Sequence, residues 1–480
     1  MSILVVDVGT SSVRGSIVRA DGTVETVARR ALPPSLPAAG LVELDPAALA
    51  AAVLDVARAA LERGGPVDGV GVTAQRASVI AWDATTGQAL GPGIGWQDLR
   101  TAGTCLELQD EGIRLSPSES ATKAAWLIDN YAPDRGAAVR IGTVDTWVTW
   151  CLSGGAAHVT DPTNAAVTGL YEPARRRWKT DLIQRLGIPE TALATIVDSS
   201  GPAAEASVLQ GSPPICGIAG DQQASLIGQG CTRPGLAKAT FGTGAMLDMC
   251  TGERPGIGDR GRHGCFPIVA WSRHGKLSWG VEAIMLTAGS AVDWLVDDLG
   301  VLTDAARSEE IAAQCDDAGG VVVVPAFLGL ATPAWDFGAR ATVVGLTRGS
   351  GRRQLVRAVL EGVAHQGADL LDAAEADAGV SVDALRVDGG MTANAVFVQA
   401  LADTCNRPIE VSAELEATTL GAGYLAGLAV GMWSDEIDIA AAWSPRVVVE
   451  PSGRNMDRDK WRRAVDDARS WHPELTALEF

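Results

Sequence analysis

The sequence lacks any apolar run long enough to cross a bilayer, which takes roughly 20 residues. The best candidate, residues 321–330, is interrupted by Pro325 and Gly329. The sequence also lacks a CxxC pair, because its eight cysteines and five histidines are dispersed. We therefore expect free thiols in a reducing cytoplasm rather than a zinc site. No basic region or cleavage site precedes the first apolar strand, so we expect no secretory signal.

Positive charge is also scarce. The 39 lysines and arginines face 58 aspartates and glutamates, which gives a net charge of -19. This balance argues against nucleic acid and anionic membranes as partners. It does not argue against ATP, since phosphate sites are local and use many backbone amides. The length of 480 residues favours two or three domains.

Three short glycine-rich motifs stand out, and each follows an apolar run that predicts a buried strand. They are DVGTSS (7–12), FGTG (241–244) and VDGG (387–390). A tight turn at the end of a strand exposes backbone N–H groups that hold phosphate oxygens. One such turn is common, since glycine usually marks only a turn. Three of them, two with an aspartate, indicate a nucleotide held between two halves of the chain.

The local pattern predicts two related lobes. Strands at 3–7, 13–19 and 23–28 form a meander around an Asp-Gly hairpin turn, and a strand–turn–strand recurs at 236–250. Asp45 followed by proline predicts the start of a helix. The period of the apolar residues over 352–376 predicts a long amphipathic helix. We place the first lobe at residues 1–222, the second at 223–435, and a peripheral C-terminal segment at 436–480.

Asp221 is the strongest candidate for a catalytic residue. It follows the apolar run 215–220, near the predicted boundary between the lobes. A carboxylate at the carboxyl end of a buried strand lies where clefts form. As a general base it would take the proton from a substrate hydroxyl that attacks the γ-phosphate in line. The alternative is a helix N-cap, because small residues follow it.

Asp7, Arg14 and Arg76 are further candidates by position. Asp7 ends the first predicted strand, where a carboxylate orients Mg²⁺ or its water shell; the alternative is an Asx-turn. Arg14 lies within reach of a phosphate at the first turn, or is a surface arginine. Arg76, preceded by Gln75, follows another predicted strand and would donate paired hydrogen bonds to neighbouring hydroxyls.

Longer segments resemble the FGGY family of carbohydrate kinases, most closely its glycerol-phosphorylating branch. The resemblance runs over residues 3–433. The segments that carry it are SES (118–120) with Lys123 and WLIDN (126–130), GTVDTW (142–147), DPTNA (161–165), GDQQ (220–223), VPAF (324–327), VGLTRG (344–349) and LAGL (425–428).

The resemblance implies an α/β fold of two ribonuclease-H-like lobes, as in actin, hexokinase and Hsp70, with an interdomain cleft. It also implies MgATP as the phosphate donor, a small polyol or sugar as the substrate and a cytoplasmic location, and it is compatible with a homodimer. Asp7 would lie near the metal. The nucleotide and its phosphates would lie near Thr10, Ser11, Ser12, Arg14, Gly242, Thr243, Gly289, Gly389, Gly390 and Asn394. Asp221 would be the base, and the substrate contacts would be Gln75, Arg76, Ala77, Ser118, Asp221 and Gln222.

Two positions depart from the glycerol-phosphorylating pattern, which has Glu after the arginine and Tyr before the lysine–tryptophan motif. This chain has Ala77 and Ser118 there. The loss of an acceptor weakens binding of a hydroxyl, whereas a larger pocket admits a longer polyol or ketose, such as erythritol, threitol, xylulose or ribulose. A non-catalytic sugar sensor and an ATP-dependent chaperone or filament protein are remoter alternatives. A dinucleotide dehydrogenase is disfavoured, because the first glycine turn leads into a strand.

Overall fold

The computed structural model describes residues 1–134, 136, 138–258 and 260–477. The strands of the first half are β1 (Ser2–Val8), β2 (Ser12–Arg19), β3 (Val24–Ala31), β4 (Glu43–Leu44), β5 (Gly69–Ala74), β6 (Val79–Asp83), β7 (Gly93–Ile94), β8 (Val139–Thr143), β9 (Val159–Thr160), β10 (Tyr171–Glu172), β11 (Arg177–Trp178), β12 (Thr195–Ile196), β13 (Ser200–Glu205) and β14 (Pro214–Gly220). Its helices are α1 (Pro46–Gly64), α2 (Ala102–Asp110), α3 (Ala121–Tyr131), α4 (Val144–Leu152), α5 (Pro162–Ala166), α6 (Thr180–Arg185) and α7 (Asp221–Gly228).

The second half follows the same alternation. Its strands are β15 (Ala237–Phe241), β16 (Ala245–Gly252), β17 (Phe266–Arg273), β18 (Lys276–Met285), β19 (Val322–Val324), β20 (Thr342–Val344), β21 (Leu385–Asp388), β22 (Ile409–Ser412) and β23 (Pro445–Val449). Its helices are α8 (Gly289–Asp297), α9 (Arg307–Ala312), α10 (Arg352–Ala378), α11 (Ala395–Cys405), α12 (Ala417–Ala429), α13 (Glu436–Ala442), α14 (Arg458–Ala468) and α15 (Pro473–Thr476).

The two halves repeat one strand order. In the first, β1, β2 and β3 form an antiparallel meander, and β5 and β14 add in parallel on the other side of β1. In the second, β15, β16 and β18 are antiparallel, and β21 and β22 add in parallel beyond β15. The halves join where β13 pairs with β17. This repeat confirms the expected pair of ribonuclease-H-like lobes.

Apolar patterning accounts for the central elements. All seven residues of β1 are buried, as expected of a strand with neighbours on both sides. The Asp45 carboxylate caps α1 by accepting from two backbone amides, as predicted. The predicted long helix is α10, of 27 residues, with one face in the core of the second lobe.

Two glycines let α7 and α12 pack against each other at backbone contact distance. A Cβ on Gly228 would lie 1.9 Å from the Ala417 carbonyl oxygen, and one on Gly421 would lie 1.8 Å from the Ala224 carbonyl oxygen. Only glycine permits this approach. The contact fixes α7, the helix that begins at Asp221.

The C-terminal segment packs on the second lobe. β23 pairs with β22 at one edge of the sheet. Trp461 of α14 is buried and stacks on His365 of α10, with ring centroids 5.1 Å apart. The indole Nε1 also donates to Asp369 Oδ2 at 2.7 Å. In the part of the chain that the structure describes, no helix is both long and apolar enough to span a membrane.

Trp461→Ala is expected to destabilise the protein by about 3–5 kcal/mol, because it leaves a cavity between α10 and α14. Trp471→Ala is the matched control, since this tryptophan in the same segment is 68% exposed. The denaturant midpoint, followed by circular dichroism, should fall for the first variant and stay near wild type for the second. Equal midpoints would contradict this packing.

Candidate active site

Asp221 lies at the junction of β14 and α7, as the first residue of the helix. The cap position belongs to Gly220, so the N-cap alternative for Asp221 is wrong. Asp221 Oδ1 accepts from the Gln222 backbone N–H at 2.8 Å and lies 3.6 Å from Arg76 Nε. Burial raises the pKa of Asp221, and the Arg76 guanidinium opposes that rise. A carboxylate in this balance suits a general base.

Arg76 joins the two lobes. Its Nη2 pairs with Glu282 Oε2 of β18 at 2.6 Å and contacts Met246 Sδ of β16 at 3.9 Å. Its Nε faces Asp221 on the other side. Nη1 is buried and has no hydrogen-bond partner among the described residues. One arm of the guanidinium is therefore available to a substrate oxygen.

Gly220→Ala is expected to displace Arg76. A Cβ at residue 220 would lie 2.7 Å from Arg76 Cγ and 2.8 Å from Cδ, too close for carbon atoms. Since Glu282 fixes the guanidinium, the stem has little freedom to move away. We expect the KM for the phosphoryl acceptor to rise about tenfold while the KM for the nucleotide stays constant. Gly103→Ala is the control, because in the described part of the chain no neighbouring atom lies within 4 Å of its added Cβ. Equal kinetics for both variants would contradict the prediction.

Ala77 and Ser118, the two departures, lie on neighbouring segments. Ala77 is buried and has a left-handed backbone, with φ of 61°. Its carbonyl oxygen accepts from Ser120 Oγ at 2.9 Å. The buried Lys123 ammonium donates to the carbonyl oxygens of Trp96 and Ser118, at 3.0 and 3.3 Å. Lys123 thus holds Trp96 and Ser118 on the same side of the molecule as Ala77.

The two predicted glutamines lie in different surroundings. Gln222 Oε1 accepts from Lys238 Nζ at 2.7 Å, next to the candidate base. Gln75 instead accepts from a neighbouring serine hydroxyl at 3.1 Å. Gln75 also lines a cavity of about 910 Å³ whose walls include neither Arg76 nor Asp221. Substrate contact by Gln75 stays a prediction that this geometry does not favour.

The first glycine turn brings Asp7 and Arg14 together, with Arg14 Nη1 3.3 Å from Asp7 Oδ2. The start of α12 contributes Glu416, at 2.5 Å from the same Nη1, and Thr419, whose hydroxyl donates to Asp7 at 3.1 Å. Burial raises the pKa of Asp7 to about 6, and the charge of Asp221 contributes to the rise. The two aspartates therefore belong to one site.

The remainder of this turn is closed by a hydrogen bond from Gly9 N to Ser12 O at 3.0 Å. Thr10 is partly exposed and Ser11 is exposed, whereas Ser12 is buried. The Ser12 hydroxyl accepts from Arg29 Nε at 3.3 Å. Thr10 and Ser11 are thus better exposed than Ser12 to a bound phosphate.

The second and third glycine turns meet at the start of α8. Gly289 N donates to Gly242 O at 2.8 Å, and Ala288 N donates to Thr243 O at 2.8 Å. Gly389 has φ of 90°, and a Cβ there would lie 2.4 Å from the carbonyl oxygen that ends β15. Gly390 faces open space, since no atom of the described residues lies within 4 Å of its added Cβ. These turns form one glycine-lined edge.

Asn394 has a structural role beside this edge. Its Oδ1 caps α11 by accepting from the Phe397 backbone at 3.0 Å, and its Nδ2 donates to Ser308 Oγ at 3.0 Å. Both ends of the amide are therefore occupied by protein groups. Nucleotide contact by Asn394 stays a prediction.

Sequence reasoning missed three charged residues near the candidate base: Lys238, Asp248 and Glu282. All three are buried in strands of the second lobe. A signal was present, because a lysine and an aspartate interrupt the otherwise apolar runs AKATF and AMLDMC. Charged residues are rarely buried unless they are paired.

The residues present suit Mg²⁺ together with a phosphate-bearing ligand. Among the described residues, no group of three or more His, Cys, Asp or Glu side chains is arranged to hold a metal. Mg²⁺ commonly uses one or two carboxylates together with phosphate oxygens. Asp7 supplies a buried carboxylate beside the first turn, and the open space at Gly390 leaves room for phosphate near the third.

Comparison with family models settles the family. The N-terminal domain of the FGGY family of carbohydrate kinases matches residues 2–228, and the C-terminal domain matches residues 237–430. The chain therefore belongs to the FGGY family of carbohydrate kinases. It is an ATP-dependent phosphotransferase with an alcohol group as acceptor.

Individual relatives agree over the full length. Glycerol kinases of Aromatoleum aromaticum and Petrotoga mobilis are 42% and 39% identical, over 98% of this chain and 99% of each relative. The structure of Plasmodium falciparum glycerol kinase with ADP superposes with a TM-score of 0.89 at 28% identity, covering 100% of this chain and 99% of that one. Gluconate kinase of Lactobacillus acidophilus shares the fold, with a TM-score of 0.87 at 20% identity over 99% of this chain and 98% of that one.

Proposed function

We propose that this protein transfers the γ-phosphate of ATP to a hydroxyl of glycerol or a similar small polyol, with Asp221 as general base. The observation that carries the proposal is the contact of Asp221 with Arg76, which itself reaches Glu282 across the two lobes. The glycerol kinases that match over nearly the whole chain support this class of acceptor.

In the proposed reaction, the ionised Asp221 carboxylate accepts the proton of the acceptor hydroxyl. The hydroxyl oxygen then bonds to the γ-phosphorus as the bond from that phosphorus to the bridging oxygen breaks. ADP leaves with the electron pair of that bond. Burial increases the proton affinity of Asp221, and the Arg76 guanidinium favours its ionised form.

Arg76 and Gln222 would orient the acceptor. The free Nη1 of Arg76 donates to a hydroxyl oxygen. Gln222 is held through its Oε1 by Lys238, so its amide NH₂ points away from that lysine and is available to a second hydroxyl. Asp221 lies beside both residues, so with two adjacent hydroxyls held there it would face the third hydroxyl of a short polyol.

On the nucleotide side, Asp7 would hold Mg²⁺, which neutralises phosphate charge when bound. Phosphate contacts are proposed for Thr10, Ser11, Ser12, Arg14, Gly242, Thr243, Gly289, Gly389 and Gly390. Arg14 is held by Asp7 and Glu416 beside the first glycine turn. Closure of the interdomain cleft would exclude water, which would otherwise hydrolyse ATP.

A longer polyol or a ketose is the second candidate acceptor. Ala77 directly follows Arg76, and Ser118 lies on the adjoining segment. Both side chains are small, so this wall leaves room for additional carbons, and neither supplies a carboxylate to a hydroxyl. A cytoplasmic location and a homodimer stay predictions.

The test is a coupled ADP-release assay with MgATP and a panel of acceptors. The panel contains glycerol, erythritol, D- and L-threitol, xylitol, ribitol, D-xylulose and both ribuloses. A clear preference for glycerol would support the first candidate, and a signal with a longer acceptor alone would support the second. Silence across the panel would contradict both.

A further inference from the structure

A row of buried charges crosses the second lobe directly behind the candidate acceptor site. Lys238 of β15 lies opposite Asp248 of β16 in the sheet register, and Asp248 lies opposite Glu282 of β18. Opposed residues of antiparallel strands share one face of the sheet. Lys238 and Asp248 are fully buried, and Glu282 is 6% exposed.

Each end of this row holds one of the residues that are proposed to bind the acceptor. Lys238 Nζ donates to Gln222 Oε1 at 2.7 Å, and Glu282 Oε2 pairs with Arg76 Nη2 at 2.6 Å. Asp248 lies between the two ends, with its Oδ2 2.7 Å from Lys238 Nζ. Asp248 contacts neither Gln222 nor Arg76, yet it lies next to Lys238 and Glu282, which hold them.

Glu282 faces a second carboxyl group, Asp248, on the adjacent strand of this buried row. Burial raises the pKa of Glu282; the Arg76 charge lowers it, and the facing Asp248 carboxylate raises it further. Two neighbouring carboxylates in a buried site repel each other when both are ionised. A proton held by Glu282 removes this repulsion.

We propose that Asp248 is a positioning residue for the phosphoryl acceptor, because it fixes Gln222 through Lys238 and Arg76 through Glu282. This inference rests on the proposed function. No part of Asp248 contacts the reacting atoms, so its effect is on acceptor binding rather than on nucleotide binding.

Asp248→Leu is the first test, because leucine fills the site without charge or hydrogen bonds. It leaves Lys238 without its carboxylate and Glu282 without its partner. We expect the KM for the acceptor to rise at least tenfold, with a smaller fall in kcat and no change in the KM for ATP. An acceptor KM within twofold of wild type would overturn the proposal.

Asp248→Asn is the second test and is close in shape to the native residue. The amide oxygen still accepts from Lys238 and the NH₂ still donates to Glu282, but the side chain has no charge to repel an ionised Glu282. In the wild type, loss of the Glu282 proton as pH rises lets its carboxylate repel Asp248, so the acceptor KM rises on the alkaline side. The variant should lack this rise, and an identical rise would overturn the proposal even if the leucine variant fails to fold.

The charges that face Asp248 come from every side and set the position of this transition. They are Lys238 on β15, Glu282 on β18, Arg76 after β5, Asp221 on α7 and Asp388 on β21. The Asp248 charge also raises the pKa of Asp221 and of Asp388, so the Asp248→Asn variant should move the acid limb to lower pH. The alkaline limb is the part of the profile that reports on Asp248 and Glu282.

Asp403→Asn is the matched control, because Asp403 is a buried, hydrogen-bonded aspartate of α11 in the same lobe. It should lower stability without changing the acceptor KM or its pH dependence. If the wild type transfers phosphate and the Asp248 variants behave like this control, the inference about Asp248 is overturned and the proposed function stands. Absence of transfer to every acceptor by the wild type would overturn the proposed function as well.

Discussion

Asp221→Asn is expected to lower kcat by 10²- to 10⁴-fold, roughly the contribution of a general base. The amide has nearly the same shape, and it still accepts from the Gln222 backbone, so the fold around α7 should be kept. It has no basic oxygen to take the proton from the acceptor hydroxyl. Binding of ADP, measured by calorimetry, should therefore match that of the wild type while turnover is lost.

Asp55→Asn is the matched control for this variant, since Asp55 is exposed on α1. It should turn over at the wild-type rate. In the wild type, kcat/KM for the acceptor should rise as pH rises through the pKa of Asp221, because only the ionised carboxylate is a base. Burial places that limb above the ordinary range of an aspartate. Near-normal turnover by Asp221→Asn would reject the assigned base.

Arg76→Ala is expected to raise the acceptor KM by roughly 10²-fold, because each charge-assisted hydrogen bond contributes about 1.5–3 kcal/mol. The variant also removes the cation beside Asp221, which then titrates at a higher pH. The acid limb of kcat/KM should therefore shift to higher pH. Both effects appear in one set of steady-state assays from acidic to neutral pH.

Two further variants sharpen this prediction. Arg76→Lys keeps the positive charge but not the planar fork, so its acceptor KM should lie between the wild type and Arg76→Ala. Arg58→Ala removes an exposed arginine of α1 and should change neither KM nor the acid limb. An unchanged acid limb in Arg76→Ala would show that Arg76 does not control Asp221.

The elements that carry the site were predictable because their signals are local. Three such signals can be recognised in the sequence: strands that end in glycine, the apolar run before Asp221, and the helical period of the apolar residues in α10. The resemblance to the FGGY family implies that these elements form two lobes. The family models and the repeated strand order confirm that arrangement.

The charged row behind the site was not predictable in the same way. Lys238, Asp248 and Glu282 become neighbours only through the register of three strands, which no local pattern specifies. The orientation of Gln75 toward a separate cavity and the capping by Asn394 also depend on packing. Asp221 proved to be the first helical residue because Gly220, not Asp221, has the extended backbone of a cap.

The substrate question depends on the smallest side chains of the site. Ala77 leaves Arg76 without a neighbouring carboxylate in the chain, and Arg76 pairs instead with Glu282 and Asp221. Acceptor recognition is therefore assigned to the free guanidinium arm and to Gln222. The residues for phosphoryl transfer are therefore kept, whereas the wall that would distinguish glycerol from a longer acceptor is made of small side chains.

Phosphoryl transfer to an alcohol can be observed directly by ³¹P NMR of the products. Coupled ADP release alone does not distinguish transfer from hydrolysis of ATP. With wild-type enzyme, MgATP and glycerol or a longer polyol, we expect a phosphomonoester signal that grows in step with ADP, and with Asp221→Asn a signal that grows at least 10²-fold more slowly. Inorganic phosphate as the sole new product with every acceptor would show that the protein hydrolyses ATP and does not transfer its phosphate to an alcohol.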